Sequence, residues 1–74
     1  MARVTIAAGA AGSDIVLAAN NVFAVESGNV EFSSDAGTTY IAFSSSEKIV
    51  FSNGLTIKCR NTRSDPAIFS YMAI

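Results

Sequence analysis

Short apolar-rich runs, some alternating with polar positions and some apolar on both strand faces, make up about half of this chain. Val4-Thr5-Ile6, Asp14-Ile15-Val16-Leu17-Ala18, Val22-Phe23-Ala24-Val25 and Asn29-Val30-Glu31-Phe32 come first. Thr39-Tyr40-Ile41-Ala42-Phe43, Lys48-Ile49-Val50-Phe51, Leu55-Thr56-Ile57-Lys58-Cys59 and Ala67-Ile68-Phe69-Ser70-Tyr71-Met72 follow. Each is rich in β-branched and aromatic residues and bounded by Gly, Asn, Asp or Ser, as strands are. The pattern predicts an all-β fold, a small antiparallel β-sandwich or barrel of about 7–8 short strands.

A helix competes only in the Ala-rich segment from Ala7 to Ala19, because alanine is the best helix former. Gly9 and Gly12 oppose it and Asp14 to Ala19 carries no 3.6-residue stripe, so a flexible loop over Ala8 to Ser13 followed by a strand is expected. Two turns predict register. Around Ser52-Asn53-Gly54, a three-residue loop with Gly54 in the left-handed conformation would pair Phe51 with Leu55 and Ile49 with Ile57, collecting four large apolar residues on one face. The cost is Lys48 facing Lys58. In Asp35-Ala36-Gly37 the same device would set Phe32 across from Tyr40 and Val30 across from Ala42. With Ser27-Gly28-Asn29 and Asn20-Asn21 as further turns, the expected topology is largely a meander.

Seventy-four residues with no shift in composition make one domain, 1–74, with residues 1–12 read as an N-terminal arm that extends from it. Half the residues are apolar and 15% charged, which excludes a disordered chain. A chain this short buries barely enough surface to offset its ordering cost, and such domains usually add disulfides, a metal or a partner. One cysteine and no histidine exclude an internal disulfide and speak against a structural zinc, so a partner is expected to supply the missing stability. A net charge of −1 speaks against a general nucleic-acid binder, and no run is apolar for long enough to cross a membrane. Thr5 and Gly9 interrupt the weak apolar stretch at the start, which speaks against a cleaved signal and for synthesis in a cytoplasm.

Candidate chemistry is sparse. No histidine stands as general base for a serine or for Cys59, and a Ser-Lys pair is the one nucleophilic arrangement left open. Cys59 continues the Leu55, Ile57 face at strand spacing and reads as a core residue. The acids Asp14, Glu26, Glu31, Asp35, Glu47 and Asp65 fall mostly at turns or on solvated faces, and Gly9 and Gly12 lack the spacing of a phosphate loop. No catalytic residue, cofactor or metal ligand is expected. Lys58, Arg60 and Arg63 form a basic strip, with Lys58 and Arg60 opposite Ile57 and Cys59; an ordinary solvated face is the preferred reading of it.

The segment Ile68-Phe69-Ser70-Tyr71-Met72-Ala73-Ile74 is apolar on both faces of a strand. Phe69, Tyr71 and Ala73 are expected in the core, which leaves Ile68, Met72 and Ile74 to be covered by a neighbouring subunit.

The stretch Ser-Gly-Asn-Val-Glu-Phe-Ser-Ser-Asp-Ala-Gly-Thr-Thr-Tyr from Ser27 to Tyr40, with Gly54-Leu55-Thr56-Ile57-Lys58-Cys59-Arg60-Asn61-Thr62, resembles small tailed-bacteriophage virion proteins of the capsid decoration or cement type. The resemblance implies a β-sandwich or barrel that binds the outside of an assembled shell, with capsid or other virion proteins as partners, a homo-oligomeric and preferably trimeric state, and a place in the virion. Arg3, Val4 and Ile6 of the arm, with Ile68, Met72 and Ile74, are the interface residues expected on that reading. A tail or head-tail accessory protein is the first alternative. A small carbohydrate-binding module, with Tyr40 or Tyr71 as a stacking platform, is the second.

Overall fold

A computed structural model describes residues 2–74. Eight strands form: β1 (Ala2–Ile6), β2 (Ile15–Val16), β3 (Asn21–Ser27), β4 (Asn29–Ser33), β5 (Ile41–Ser44), β6 (Lys48–Phe51), β7 (Thr56–Arg60) and β8 (Ala67–Ala73). They lie in two antiparallel four-stranded sheets of order β1-β8-β3-β6 and β2-β7-β4-β5. The chain is an all-β sandwich, as the alternation predicts, and no helix occurs among the described residues.

The expected meander does not form. β4 and β5 are the one pair of strands adjacent in both sequence and sheet; every other connection carries the chain from one sheet to the other. Gly28 makes the crossing from β3 to β4 at φ +75°, and a Cβ there would lie 2.8 Å from the Pro66 carbonyl oxygen. Only glycine fits so tight a step.

The Ser52–Gly54 turn is also a crossing. Gly54 has the expected positive φ, +90°, but its N–H donates to the Leu17 carbonyl at 2.9 Å, and Leu55 accepts from the Leu17 N–H at 2.9 Å. Phe51 therefore pairs with Asn21 and Ile57 with Ile15, correcting the predicted Phe51–Leu55 and Ile49–Ile57 pairs. The physical reason is that two layers can bury Ile49, Phe51, Leu55 and Ile57 face to face, where a single hairpin would still need a cover. Lys48 and Lys58 do not meet: Lys48 lies opposite Ala24 and Lys58 opposite Ser33.

The β4–β5 hairpin forms one residue out of the expected register, with Phe32 across from Ile41, Glu31 from Ala42 and Val30 from Phe43. A slip of one residue exchanges the two faces, so Ile41 and Phe43 turn inward and Tyr40 is released. The connection is longer than a three-residue loop because polar groups organise it. The Ser33 hydroxyl donates to Asp35 Oδ1 at 2.7 Å and accepts from the Gly37 N–H at 3.0 Å, and the Thr39 N–H donates to Asp35 Oδ1 at 2.9 Å. Ala36 joins Gly37 at positive φ, 62° and 87°.

These bonds, the Ser33 hydroxyl foremost and the Thr39 N–H next, hold the Asp35 carboxyl below its ordinary value of 3.8. A carboxyl with a depressed folded pKa contributes stability above its unfolded value and loses it as pH falls through the folded one. The melting temperature of the wild type is thus expected to exceed that of Asp35→Ala near neutrality, with the gap closing as pH falls below about 3.8. A gap independent of pH in a thermal-melting series would contradict this.

The core between the sheets centres on Phe23, Phe32 and Phe69, with Ile6, Val30 and Ile57 around them, all at most 2% exposed. Ala2–Ile6 does not project as an arm: it pairs along its whole length with β8, from Ala2 opposite Tyr71 to Ile6 opposite Ala67. The loop after it closes that side of the sandwich. Asn61 donates from its backbone to Ala10 O at 2.8 Å, Gly12 N–H to Cys59 O at 3.0 Å and Gly9 N–H to Arg63 O at 3.1 Å.

Candidate functional site

The two outer faces of the sandwich differ in chemistry. On the β2-β7-β4-β5 sheet, Arg60 Nε lies 2.7 Å from Glu31 Oε1 and Lys58 Nζ 3.1 Å from Asp14 Oδ2. Thr62 donates to the other Glu31 oxygen at 3.3 Å, and the Arg60 guanidinium covers the Tyr40 ring at 3.7 Å from its centroid. Lys58 and Arg60 do lie opposite Ile57 and Cys59, but each is neutralised by a carboxylate from a neighbouring segment. Arg63 stands apart, in the β7–β8 connection.

The outer face of the β1-β8-β3-β6 sheet is apolar at its centre. Cross-strand partners in an antiparallel pair project to the same side, so the registers assemble the face directly. Val50, Val22 and Met72 form one row, and Lys48, Ala24, Ser70 and Arg3 form the next. Ala24 and Ser70 are small, and with Val22, Lys48, Tyr71 and Met72 they line a shallow depression of about 180 Å³. Val50, Met72 and Ile74 are 57%, 47% and 69% exposed. At the β1 side, Arg3 closes the row by pairing with Glu26 at 3.0 Å. Lys48, at the opposite end, has no ion-pair partner among the described residues.

The six expected interface residues separate on this frame. Met72 and Ile74 are exposed, Ile68 is half-buried on the outer face opposite Thr5, and Arg3 is exposed at the rim. Ile6 is 2% exposed and belongs to the core, and Val4 packs against that core from the same inner face. These two are corrections, and their cause is the pairing of β1 with β8: once the segment is a strand, alternate residues must turn inward. Ala73 is a third, exposed where burial was expected. Val22, Ala24, Lys48 and Val50 complete the face and were not singled out from the sequence. Their signal was present, since Val22-Phe23-Ala24-Val25 and Ile49-Val50-Phe51 are apolar on both strand faces, just as Ile68 to Met72 are. No family model matches the chain, and no curated protein matches it.

Other groups with chemical potential are committed to structure. Cys59 is 2% exposed, and burial pushes its thiol above the ordinary value. Tyr71 stacks on Phe23 at 5.0 Å and 12° between ring planes, so one of its faces is covered from within. Glu47 binds back to the Ser44 N–H and hydroxyl at 2.6 and 2.8 Å, which holds its carboxyl below the ordinary range. Among the described residues no group of three or more His, Cys, Asp or Glu is placed to hold a metal ion.

Proposed function

We propose that this protein is a structural virion component of the capsid decoration or cement type, which docks on an assembled shell through the outer face of its β1-β8-β3-β6 sheet. The observation that carries the reading is the row Val50–Val22–Met72 beside a shallow depression, apolar and open on one face, while the opposite face carries paired charges and the single exposed valine Val16. A half-solvated antiparallel sheet normally turns polar residues outward. An apolar outer face rimmed by Lys48 and the Arg3–Glu26 pair has the anatomy of a protein contact.

Many copies on a repeating surface suit a face this small. Strands of five, seven, seven and four residues cover only about 360 Å², from strand spacings of about 4.8 Å and rises of about 3.3 Å. That lies below the roughly 800 Å² per partner of a standard interface, so binding rests on multiplicity as well as on contact chemistry.

Met72→Asp is expected to reduce co-pelleting with assembled shells by about tenfold or more, because it buries a charge within the contact. The same substitution should change the melting temperature little, since Met72 is half-exposed in the free protein. Unchanged pelleting, or a melting loss that accounts for the whole defect, would overturn the docking assignment. A tail or head-tail position instead of a shell position would appear as a low copy number per particle.

A further inference from the structure

We infer that the free edge of β6 pairs with β6 of a second copy about a two-fold axis at Val50, joining two sandwiches through one continuous eight-stranded sheet. The starting point is that the core is closed on one side only. On the β1 side the loop from Ala7 to Asp14 covers the gap between the sheets. On the β5 and β6 side the gap stays open as a cavity of about 200 Å³, walled by five apolar side chains, Ile49 and Phe51 among them, and by Ser34, Asp35 and Thr39. Ile41 lies opposite the fully buried Phe32, yet it is 57% exposed. A cavity below the roughly 300 Å³ of small-molecule sites is matched in scale to protein side chains.

The edge itself selects its occupant. Val25 N–H donates to the Glu47 carbonyl at 3.1 Å. By the two-residue alternation of an antiparallel ladder, the main-chain groups of Ile49 and Phe51 then face β3, and those of Lys48 and Val50 face away, unpaired. A second β6 must present the same residues, so Val50 can exchange both bonds with Val50 of the second copy. That register places Ile49 opposite Phe51 of the second copy on the inner side, twice, at the mouth of the cavity. It places Lys48 opposite Ser52 of the second copy, with the two Lys48 charges about 13 Å apart along the strands, beyond the screening length of about 8 Å in physiological salt. A shift by one residue would set inward Ile49 against outward Val50, and a register with Lys48 opposite Lys48 would be repelled. The edge is complementary to itself in face and hydrogen bonding and sets no like charges against each other, which meets the requirement of an isologous contact. On the outer face the result is one unbroken apolar row, Met72–Val22–Val50 continuing into its symmetry mate, which doubles the docking surface proposed above.

The test uses the purified chain alone, so its outcome does not depend on the docking reading. Sedimentation equilibrium up to about 1 mM, where even a contact of millimolar affinity is half-formed, should show a monomer–dimer equilibrium. Val50→Lys and Val50→Glu should each weaken dimerisation by about tenfold or more by opposing like charges on the axis, and an equimolar mixture should restore it. Hydrogen exchange should show the Val50 amide protected in the wild type at high concentration and unprotected in either variant, with core amides unchanged. A wild-type monomer at all concentrations, a trimer, a contact that survives both charge variants, or a mixture that fails to rescue would each overturn the proposal.

Discussion

Phe23→Ala is expected to abolish the cooperative unfolding transition of this protein or to move it to the lowest denaturant concentrations. Phe23 is 1% exposed and touches rings from both sheets: Tyr71 at 5.0 Å, Phe51 at 5.2 Å, Phe32 at 5.3 Å and Phe69 at 6.1 Å between centroids. Truncating a buried phenylalanine costs about 3–5 kcal/mol, from lost transfer energy and the cavity left behind. A 74-residue chain has a total stability of roughly 4–11 kcal/mol at the usual value per residue, so this one change removes a large part of it. Urea unfolding followed by tyrosine fluorescence and circular dichroism would measure the loss. A loss under about 1 kcal/mol, the range of an ordinary substitution, would mean that the rings do not form one core.

Asn61→Ala should cost about 2–4 kcal/mol, more than is usual for a polar residue, because several buried groups lose their partner together. Asn61 is 1% exposed. Its Nδ2 donates to Asp65 O at 2.7 Å, Ile6 O at 3.3 Å and Ala7 O at 3.4 Å, while Oδ1 accepts from the Arg63 N–H at 3.0 Å. One side chain thus ties the end of β1 to the connection before β8. Asn61→Asp, nearly the same size, removes the donors and sets a charge against three carbonyls, and should be no better than alanine. Equilibrium unfolding supplies the number, and limited proteolysis between Ala7 and Asp14 shows whether the loop opens before the rest. Either variant melting like the wild type with an uncut loop would refute the assignment.

The proposed docking face was legible only in part. Ile68, Met72 and Ile74 stood out because β8 is apolar on both faces, and the structure places Met72 in an exposed apolar row with Val22 and Val50. Val22 and Val50 carry the same two-faced pattern but lie in the middle of the chain, where an apolar residue is as easily assigned to an inner face. Only the register, Val22 opposite both Val50 and Met72, brings the three together. Ile6 failed in the opposite direction: its composition suited an arm, and its pairing with Ala67 made it core. Asn61 had no signal at all, because a turn asparagine that braces two distant carbonyls and a near one looks like any other turn asparagine.

Local alternation, turn residues and the absence of helical stripes determined that this chain is all-β, roughly where its strands run, and, outside the β4–β5 hairpin and the two ends of the chain, which strand residues face inward. Those properties depend on neighbours within a few positions, so they can be read along the chain. Which sheet a strand joins depends on where it is buried best, and Ile49, Phe51, Leu55 and Ile57 point inward equally well from one hairpin or from two facing layers. The tertiary structure alone decided for the layers, because two sheets cover each other's apolar faces and a meander in one sheet leaves its own bare. The same decision produced the polar face, the apolar face and the open edge between β5 and β6.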